Sequence, residues 1–227
     1  MTASVELVPL KCVRCGTFVQ AAADEVAWVC HQCGQGLLLD EAGLAPLAVH
    51  WPAPQGPRLL ERYAGTPEGA VSTPRSNSPG ALAGPSGLRD GQQAGSLRWL
   101  PFWAFTGSVH FAVRQSYSGS RKPDKLWNAP RRFFIPAFPY PLEDMQQLGA
   151  TLTRQQPALQ PGPAAAPLSR CTLFPADARQ AVEFIVLTIE ADQKDKLRQV
   201  SFTLELSEPE LWVLPFTEQG GLRLAVG

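Results

Sequence analysis

Two short cysteine units constrain this chain more than any other feature of its sequence. The first spans residues 12–16 (CVRCG) and the second spans residues 30–34 (CHQCG). Two residues between cysteines let both thiolates of a tight turn point at one ion, and the glycine that follows allows the positive φ of such a turn. Two units of this kind supply the four ligands of a tetrahedral site. The sequence therefore predicts one metal ion held by Cys12, Cys15, Cys30 and Cys33.

The spacing favours a metal site over disulfides or buried free thiols, because nothing in the sequence indicates a secreted protein. Four protein ligands leave no position for a reactive water, so the metal is expected to be structural. Zinc is expected ahead of iron, which four thiolates also suit, since iron would require an electron-transfer partner. His31 is interpreted as a turn residue rather than a ligand, and Cys171 as a small apolar residue of the core.

These two units resemble the rubredoxin-like zinc ribbon superfamily, over residues 8–45. The resemblance implies the metal and the fold of this module but no particular activity. Residues 17–19, 26–29 and 37–39 have the composition of the expected strands. The remainder of the chain is similar to uncharacterised bacterial zinc-ribbon proteins, in which a ribbon is followed by motifs like those at residues 101–103 (PFW) and 136–138 (PAF).

A change in composition divides the chain. Residues 64–96 contain seven Gly, four Pro and five Ser, with no aromatic residue. Such a segment buries too little apolar surface to offset the entropy of ordering, so it is expected to be disordered. The sequence predicts a zinc ribbon over residues 1–50, a Gly/Pro/Ser-rich linker over 51–96 and an α+β domain over 97–227, with the two domains reorienting independently.

The α+β domain is expected to combine a mostly antiparallel sheet with two helices. Residues 97–105 and 109–113 read as two strands joined by a turn at Gly107 and Ser108, and residues 131–138 as a third. Closing strands are expected near residues 200–206, 211–216 and 222–226. One helix is predicted after Pro141, with its apolar stripe at Leu142, Met145, Leu148 and Leu152. A second is predicted from Pro175 to Ile189, although residues 184–189 also have strand composition.

Composition and charge disfavour several classes of function. The chain has 20 basic and 20 acidic residues, so no overall field attracts nucleic acid or an anionic membrane. It has three histidines and none of the common nucleophile, zinc-hydrolase or phosphate-loop motifs, and we expect no catalysis. No apolar run is long enough to span a membrane, and residues 1–10 lack the pattern of a signal peptide. We expect a cytoplasmic, bacterial protein without membrane insertion.

Three apolar segments each contain a proline followed at once or after one residue by an aromatic residue, at Pro101, Pro136 and Pro215. Proline donates no ladder hydrogen bond, so these positions are expected at sheet edges or strand ends. Their aromatics are interpreted either as core or as a docking surface for a protein partner, formed by Trp99, Trp103, Arg131, Arg132 and Phe134. The favoured function is a non-catalytic adaptor or assembly factor. The alternative is binding of single-stranded nucleic acid through the basic, aromatic segment 98–132.

Overall fold

The computed structural model describes residues 10–40, 43–53, 97–120, 125–193, 196–218 and 222–225. They form eleven strands, two α-helices and one 3₁₀ helix. In chain order these are β1 (Ala27–Val29), β2 (Gly36–Asp40), β3 (Gly43–Leu47), β4 (Val49–Pro52), β5 (Leu97–Ser116), β6 (Gly119–Ser120), the 3₁₀ helix (Lys125–Asn128), β7 (Arg131–Pro136), α1 (Leu142–Gln155), β8 (Pro161–Gly162), α2 (Pro175–Ala191), β9 (Leu197–Leu206), β10 (Glu210–Glu218) and β11 (Leu222–Leu224).

Strand β5, 20 residues long, is the centre of the larger sheet. Its first half pairs with β10 and its second half with β9. Strands β10 and β9 therefore lie one after the other along the same side of β5. Strand β7 pairs with residues 102–107 on the other side. All of these pairings are antiparallel, and β4 adds a parallel pairing to β10. The predicted α+β class, with a mostly antiparallel sheet and two helices, is confirmed.

The turn predicted at Gly107 and Ser108 is wrong, because β5 runs through both residues without interruption. Gly107 serves a different purpose there. A Cβ atom on Gly107 would lie 2.2 Å from the backbone oxygen of Glu205 in β9. Glycine at this position therefore permits the close approach of a neighbouring strand.

Two of the three prolines expected at edges lie inside central strands. Pro101 pairs with Val213, and Pro215 pairs with Trp99. A residue of an antiparallel strand directs its N–H and C=O to the same neighbour. The Pro101 carbonyl accepts from the amide of Ala137, just past the end of β7, and the Pro215 carbonyl accepts from the amide of Ala225, just past the end of β11. The side of Pro101 and of Pro215 that lacks an N–H therefore faces a position just beyond the end of the neighbouring strand. Pro136 is the last residue of β7.

Both helices occur where the sequence predicts them, and residues 184–189 are helical. Pro175 occupies the start of α2, where the absent N–H would have no helical partner. The inner faces of the helices pack on the sheet through buried aliphatic residues, among them Leu152, Val182 and Ile185. The apolar periodicity places Leu152 on the core-facing side of α1 correctly, but Leu142, the first residue of the predicted stripe, is exposed.

The three strands of the ribbon form their own antiparallel sheet, in the order β1-β2-β3. The first strand expected from the sequence is reduced to a single bridge between Lys11 and Phe18. Only Ala48 separates β3 from β4, and β4 already belongs to the larger sheet. Trp51 and Pro52 are thus strand residues, and the larger sheet begins ahead of the predicted boundary. The predicted linker residues 64–96 lie outside the described residues.

The ribbon packs against the body through shared core and backbone contacts. The Val26 amide donates to the carbonyl of Cys171 at 2.8 Å, and Ala27 forms a bridge to the same residue. Val26 and Ala27 are buried in one core with Trp103. Outside this core, Asp24 forms an ion pair with Arg170. The expectation that ribbon and body reorient independently is therefore wrong, since separating them would expose these buried groups.

Candidate metal centre

The two cysteine turns have the same backbone geometry. Gly16 donates to the carbonyl of Cys12 at 2.9 Å, and Gly34 donates to the carbonyl of Cys30 at 2.8 Å. Both glycines have positive φ angles, 74° and 72°. Each turn closes because its first cysteine donates its amide to a residue five positions later, Thr17 or Gln35. The repeated sequence CxxCG therefore builds the same turn twice.

These turns bring the four predicted sulfurs together. The Sγ atoms of Cys12 and Cys33 are 3.6 Å apart, as are those of Cys15 and Cys30. All four sulfurs lie within 4.8 Å of one another. Tetrahedral coordination with metal–sulfur bonds of about 2.3 Å requires sulfur–sulfur separations of about 3.8 Å. The cysteines thus match the size of a site for a single metal ion.

Packing protects one side of this centre. Cys12 and Cys30 are buried, and Cys15 is exposed. The side chains of Trp28 and Leu37 cover the buried cysteines from within the ribbon. The Trp28 indole is fixed in turn, since its N–H donates to the Glu25 carboxylate at 2.9 Å. Because four thiolates fill a tetrahedral shell, this arrangement suits a structural ion rather than one that activates water.

The exposed cysteine has a lowered pKa. A hydrogen bond joins Cys15 Sγ and Thr17 Oγ1 at 3.4 Å, and this contact, together with the Thr17 amide, lowers the pKa of Cys15 to about 6. Cys33 behaves oppositely: the Gln35 amide lowers its pKa, but burial and the neighbouring cysteines raise it to about 12. Metal ions bind thiolates, so Cys15 is the most accessible first ligand.

His31 and Cys171 stay outside the metal centre. His31 is an exposed residue of the second turn. Cys171 is fully buried in the body, where burial and the charge of Glu25 raise its pKa to about 12. A thiol with so high a pKa is almost entirely protonated near neutral pH. Among the described residues, the four ribbon cysteines are the one group of at least three His, Cys, Asp or Glu placed to hold a metal ion.

The docking surface proposed from the sequence is largely internal. Trp103 and Phe134 are completely buried, so their assignment to a docking surface is wrong. The Trp103 indole N–H donates to the carbonyl of Leu173 at 2.7 Å, which satisfies its polar atom inside the core. These residues are internal because β5 has neighbours on both sides and helices cover the sheet.

The other three residues of that predicted surface are half-buried: Trp99, Arg131 and Arg132. The Arg131 guanidinium donates to the carbonyl of Leu126. The Arg132 guanidinium lies over the ring of Trp212, 5.4 Å from its centroid. Both cations thus contribute to local packing and are only partly available to a partner.

Among the described residues, the basic, aromatic segment 98–132 offers little fully exposed aromatic surface. Phe102 and Trp127 are buried, and Tyr117, at 77% exposure, is its one aromatic among the described residues that protrudes fully. Arg114 is also buried, where it forms a bidentate ion pair with Glu190. A base-stacking surface requires exposed rings beside free cations, and most of the described aromatic rings of this segment are buried, whereas Arg98 and Lys125 are exposed.

This buried ion pair was not foreseen from the sequence. Alternation along β5 places Arg114 on the outer face, opposite Val113. A register irregularity between Phe111 and Val113 reverses the alternation, and Arg114 and Ser116 are buried beyond it. The Trp127 indole also donates to the Glu190 carboxylate, at 2.8 Å. No residue in the segment signals such a bulge, which depends on pairing with β9.

A cavity of about 530 Å³ lies where the ribbon meets residues 164–169. Its lining includes Trp28 and Trp51. The indole N–H of Trp51 donates to the carbonyl of Ala166 at 3.1 Å, and the Ser169 hydroxyl donates to the carbonyl of Trp99 at 2.6 Å. These polar atoms are engaged within the protein, while the lining also includes the Glu25 carboxylate and the exposed His31.

No protein-family model, curated protein or solved structure matches this chain. Within the described residues, no helix is long and apolar enough to cross a membrane. The function proposed below therefore rests on the chain's own residues.

Proposed function

We propose that this chain is a non-catalytic, zinc-stabilised protein-binding factor. The metal in the proposal is zinc, because zinc is commonly held by four cysteines in tetrahedral structural sites. Its role is to fix the two cysteine turns of a module that is too small to build a large core of its own. Iron fits the same ligands but would assign the site to electron transfer, which would require an electron-transfer partner.

The observation that carries the proposal is an apolar surface beside the metal centre. Val13 lies between two ligands and is 53% exposed, and Phe18 follows the same turn and is 64% exposed. The ammonium of Lys11 lies over the Phe18 ring, 4.8 Å from its centroid. We call Lys11, Val13 and Phe18 the ribbon tip. Exposed aromatic and aliphatic side chains beside a cation are typical anchors of protein interfaces.

The metal gives this surface a defined shape. Val13 lies between Cys12 and Cys15, while the carbonyl of Thr17 accepts from the Cys12 amide at 2.9 Å. Holding the sulfurs together therefore fixes the residues on both sides of the exposed side chains. Pre-organisation lowers the entropy lost on binding, so a structural ion supports recognition without taking part in chemistry.

The titratable groups of the described residues also favour binding over catalysis. His110 and Glu205 form the one His–carboxylate contact there, at 3.5 Å, and both side chains are largely exposed. The buried Arg114 and Glu190 satisfy each other. Acid–base catalysis needs a positioned, partly desolvated donor or acceptor next to a substrate cleft, and neither pair provides one.

Affinity isolation of the tagged full chain from its native cells tests the proposal. Phe18→Ser is compared with Tyr117→Ser, which removes an equally exposed aromatic residue from the body. We expect specific proteins to co-purify with the wild type and with Tyr117→Ser but to be lost with Phe18→Ser. Nucleic acid as the co-purifying partner, or a protein set unchanged by Phe18→Ser, would contradict the proposal.

A further inference from the structure

Helix α2 is apolar on two opposite faces. Its inner face is buried in the core through Ala178, Val182, Ile185, Val186 and Ile189. Its outer face carries Phe184 at 50% exposure and Leu187 at 36% exposure, one turn apart. A helix that is apolar all round is normally covered all round. The outer side of α2 therefore has the composition of a contact surface that the described residues leave open.

Helix α1 extends this surface. Leu142, in its first turn, is 60% exposed. It lines a small recess between the helices together with Met145, Ala181 and Phe184. We call Leu142, Ala181, Phe184 and Leu187 the helical face. Its large side chains form one continuous row that runs from the start of α1 along α2.

Acidic residues lie beside the helical face in the described part of the two helices. Glu143 and Asp144 follow Leu142, Glu183 precedes Phe184, and Asp177 lies two turns earlier; all four are exposed. In the part of the chain that the structure describes, no salt bridge engages any of them. The first-turn positions of three of them suit the helix dipole. Glu183 lies in the middle of α2, where the dipole gives no such reason.

The cations of the two helices point elsewhere. Arg154 pairs with Asp192 at 2.9 Å, at the far ends of both helices. Arg179 donates to the carbonyl of Ser207 at 2.8 Å and lies over the ring of Phe105. The helical face thus combines exposed apolar anchors with carboxylates that have no neighbouring cation to neutralise them.

We propose that the helical face binds a basic amphipathic helix of a protein partner; this rests on the proposed function and names a class of partner for it. Apolar side chains of such a helix, spaced by three or four residues, would pack on Phe184, Leu187 and Leu142. Lysines and arginines on its flanks would meet Glu143 and Glu183. A second copy of this chain is a poorer occupant, because a symmetric contact would set these carboxylates against one another.

Two synthetic peptides test this inference with the full chain. Both are amphipathic helices of about 18 residues, or five turns, with the same leucine stripe. One has lysine at every polar position and the other has glutamate. We expect the lysine peptide to bind at least about tenfold more tightly, a difference of about 1.4 kcal/mol. Phe184→Ser should weaken its binding by about thirtyfold, as at an interface hot spot.

Further variants separate the charged and the apolar contributions to peptide binding. Glu183→Lys should weaken the lysine peptide and improve the glutamate peptide, whereas Phe18→Ser at the ribbon tip should change neither. Phe184→Leu keeps an apolar anchor and should retain most of the binding. Equal affinity for both peptides, or no loss with a folded Phe184→Ser protein, would overturn the inference.

Self-association is measured by sedimentation. A wild-type dimer that Phe184→Ser dissociates would identify a second copy as the occupant and would also overturn the inference.

Failure of the helical-face inference is distinguishable from failure of the proposed function. If the peptides do not bind but Phe18→Ser still loses native partners, the ribbon-tip proposal stands without this one. If the lysine peptide binds as expected but no native partner depends on Phe18, the ribbon-tip proposal fails and the helical face remains.

Discussion

The guanidinium of Arg114 donates two hydrogen bonds of 2.7 Å to the carboxylate of Glu190, joining β5 to α2 inside the core. Both side chains are almost completely removed from solvent. Trp127 donates a further hydrogen bond to the same carboxylate. The pair therefore connects the long strand, the second helix and the 3₁₀ helix.

Removal of one member of this pair should destabilise the protein strongly. We expect Glu190→Ala to lower the free energy of unfolding by about 3–5 kcal/mol, because it removes the carboxylate that compensates the buried Arg114 charge. Replacing both residues, as in Arg114→Met with Glu190→Leu, should recover much of this loss. Urea denaturation of the three proteins measures both effects. A loss below about 1 kcal/mol for Glu190→Ala would show that solvent reaches the pair.

Metal removal should weaken the body as well as the ribbon. Val26 and Ala27 belong to the same core as Trp103, so a ribbon that unfolds takes buried surface from the larger sheet. We expect Cys15→Ser to lower the thermal midpoint of the body by at least about 5 °C, which corresponds to roughly 2 kcal/mol. Arg14→Ser is the control, because it alters the same turn without removing a ligand. A body midpoint unchanged by Cys15→Ser would show that the two parts fold separately.

The five cysteines should separate into two classes of reactivity. Cys171 is buried and its pKa is raised to about 12, so its thiolate is scarce and shielded. After treatment with a chelator the ribbon loses the folded contacts that raise the pKa of Cys33, and we expect iodoacetamide to label Cys12, Cys15, Cys30 and Cys33 at slightly alkaline pH. Cys171 should be labelled only when denaturant is added. Mass spectrometry of the proteolytic peptides identifies the labelled cysteines. Labelling of Cys171 without denaturant would contradict its place in the core.

Short-range sequence patterns predicted the cluster of four cysteines and both helices. The CxxCG spacing determines a local turn, and the stripe of Leu142 and Met145 reflects a periodicity within one helix. Each pattern depends on residues close in the chain, which is why it could be interpreted without knowledge of the rest of the fold.

Long-range pairing decided the features that the sequence did not reveal. Gly107 lies in the middle of β5, where the backbone of Glu205 in β9 comes too close to leave room for a Cβ atom. Trp103 is internal because strands flank β5 on both sides and helices cover it, not because of any local signal. The attachment of the ribbon depends on Val26 meeting Cys171, residues far apart in the chain. Composition suggested that the proline-containing strands lie at sheet edges and that the ribbon is a separate module. Non-local contacts make both expectations wrong.

The metal content of the protein tests the central claim most directly. Native mass spectrometry of the full chain, purified without added metal, is expected to show one zinc ion per chain, held with the roughly 10–16 kcal/mol typical of structural zinc. Cys12→Ser should lose the ion, and Cys171→Ala should keep it. A wild-type protein that carries iron, or that carries no metal and joins its ribbon cysteines as disulfides, would contradict the account.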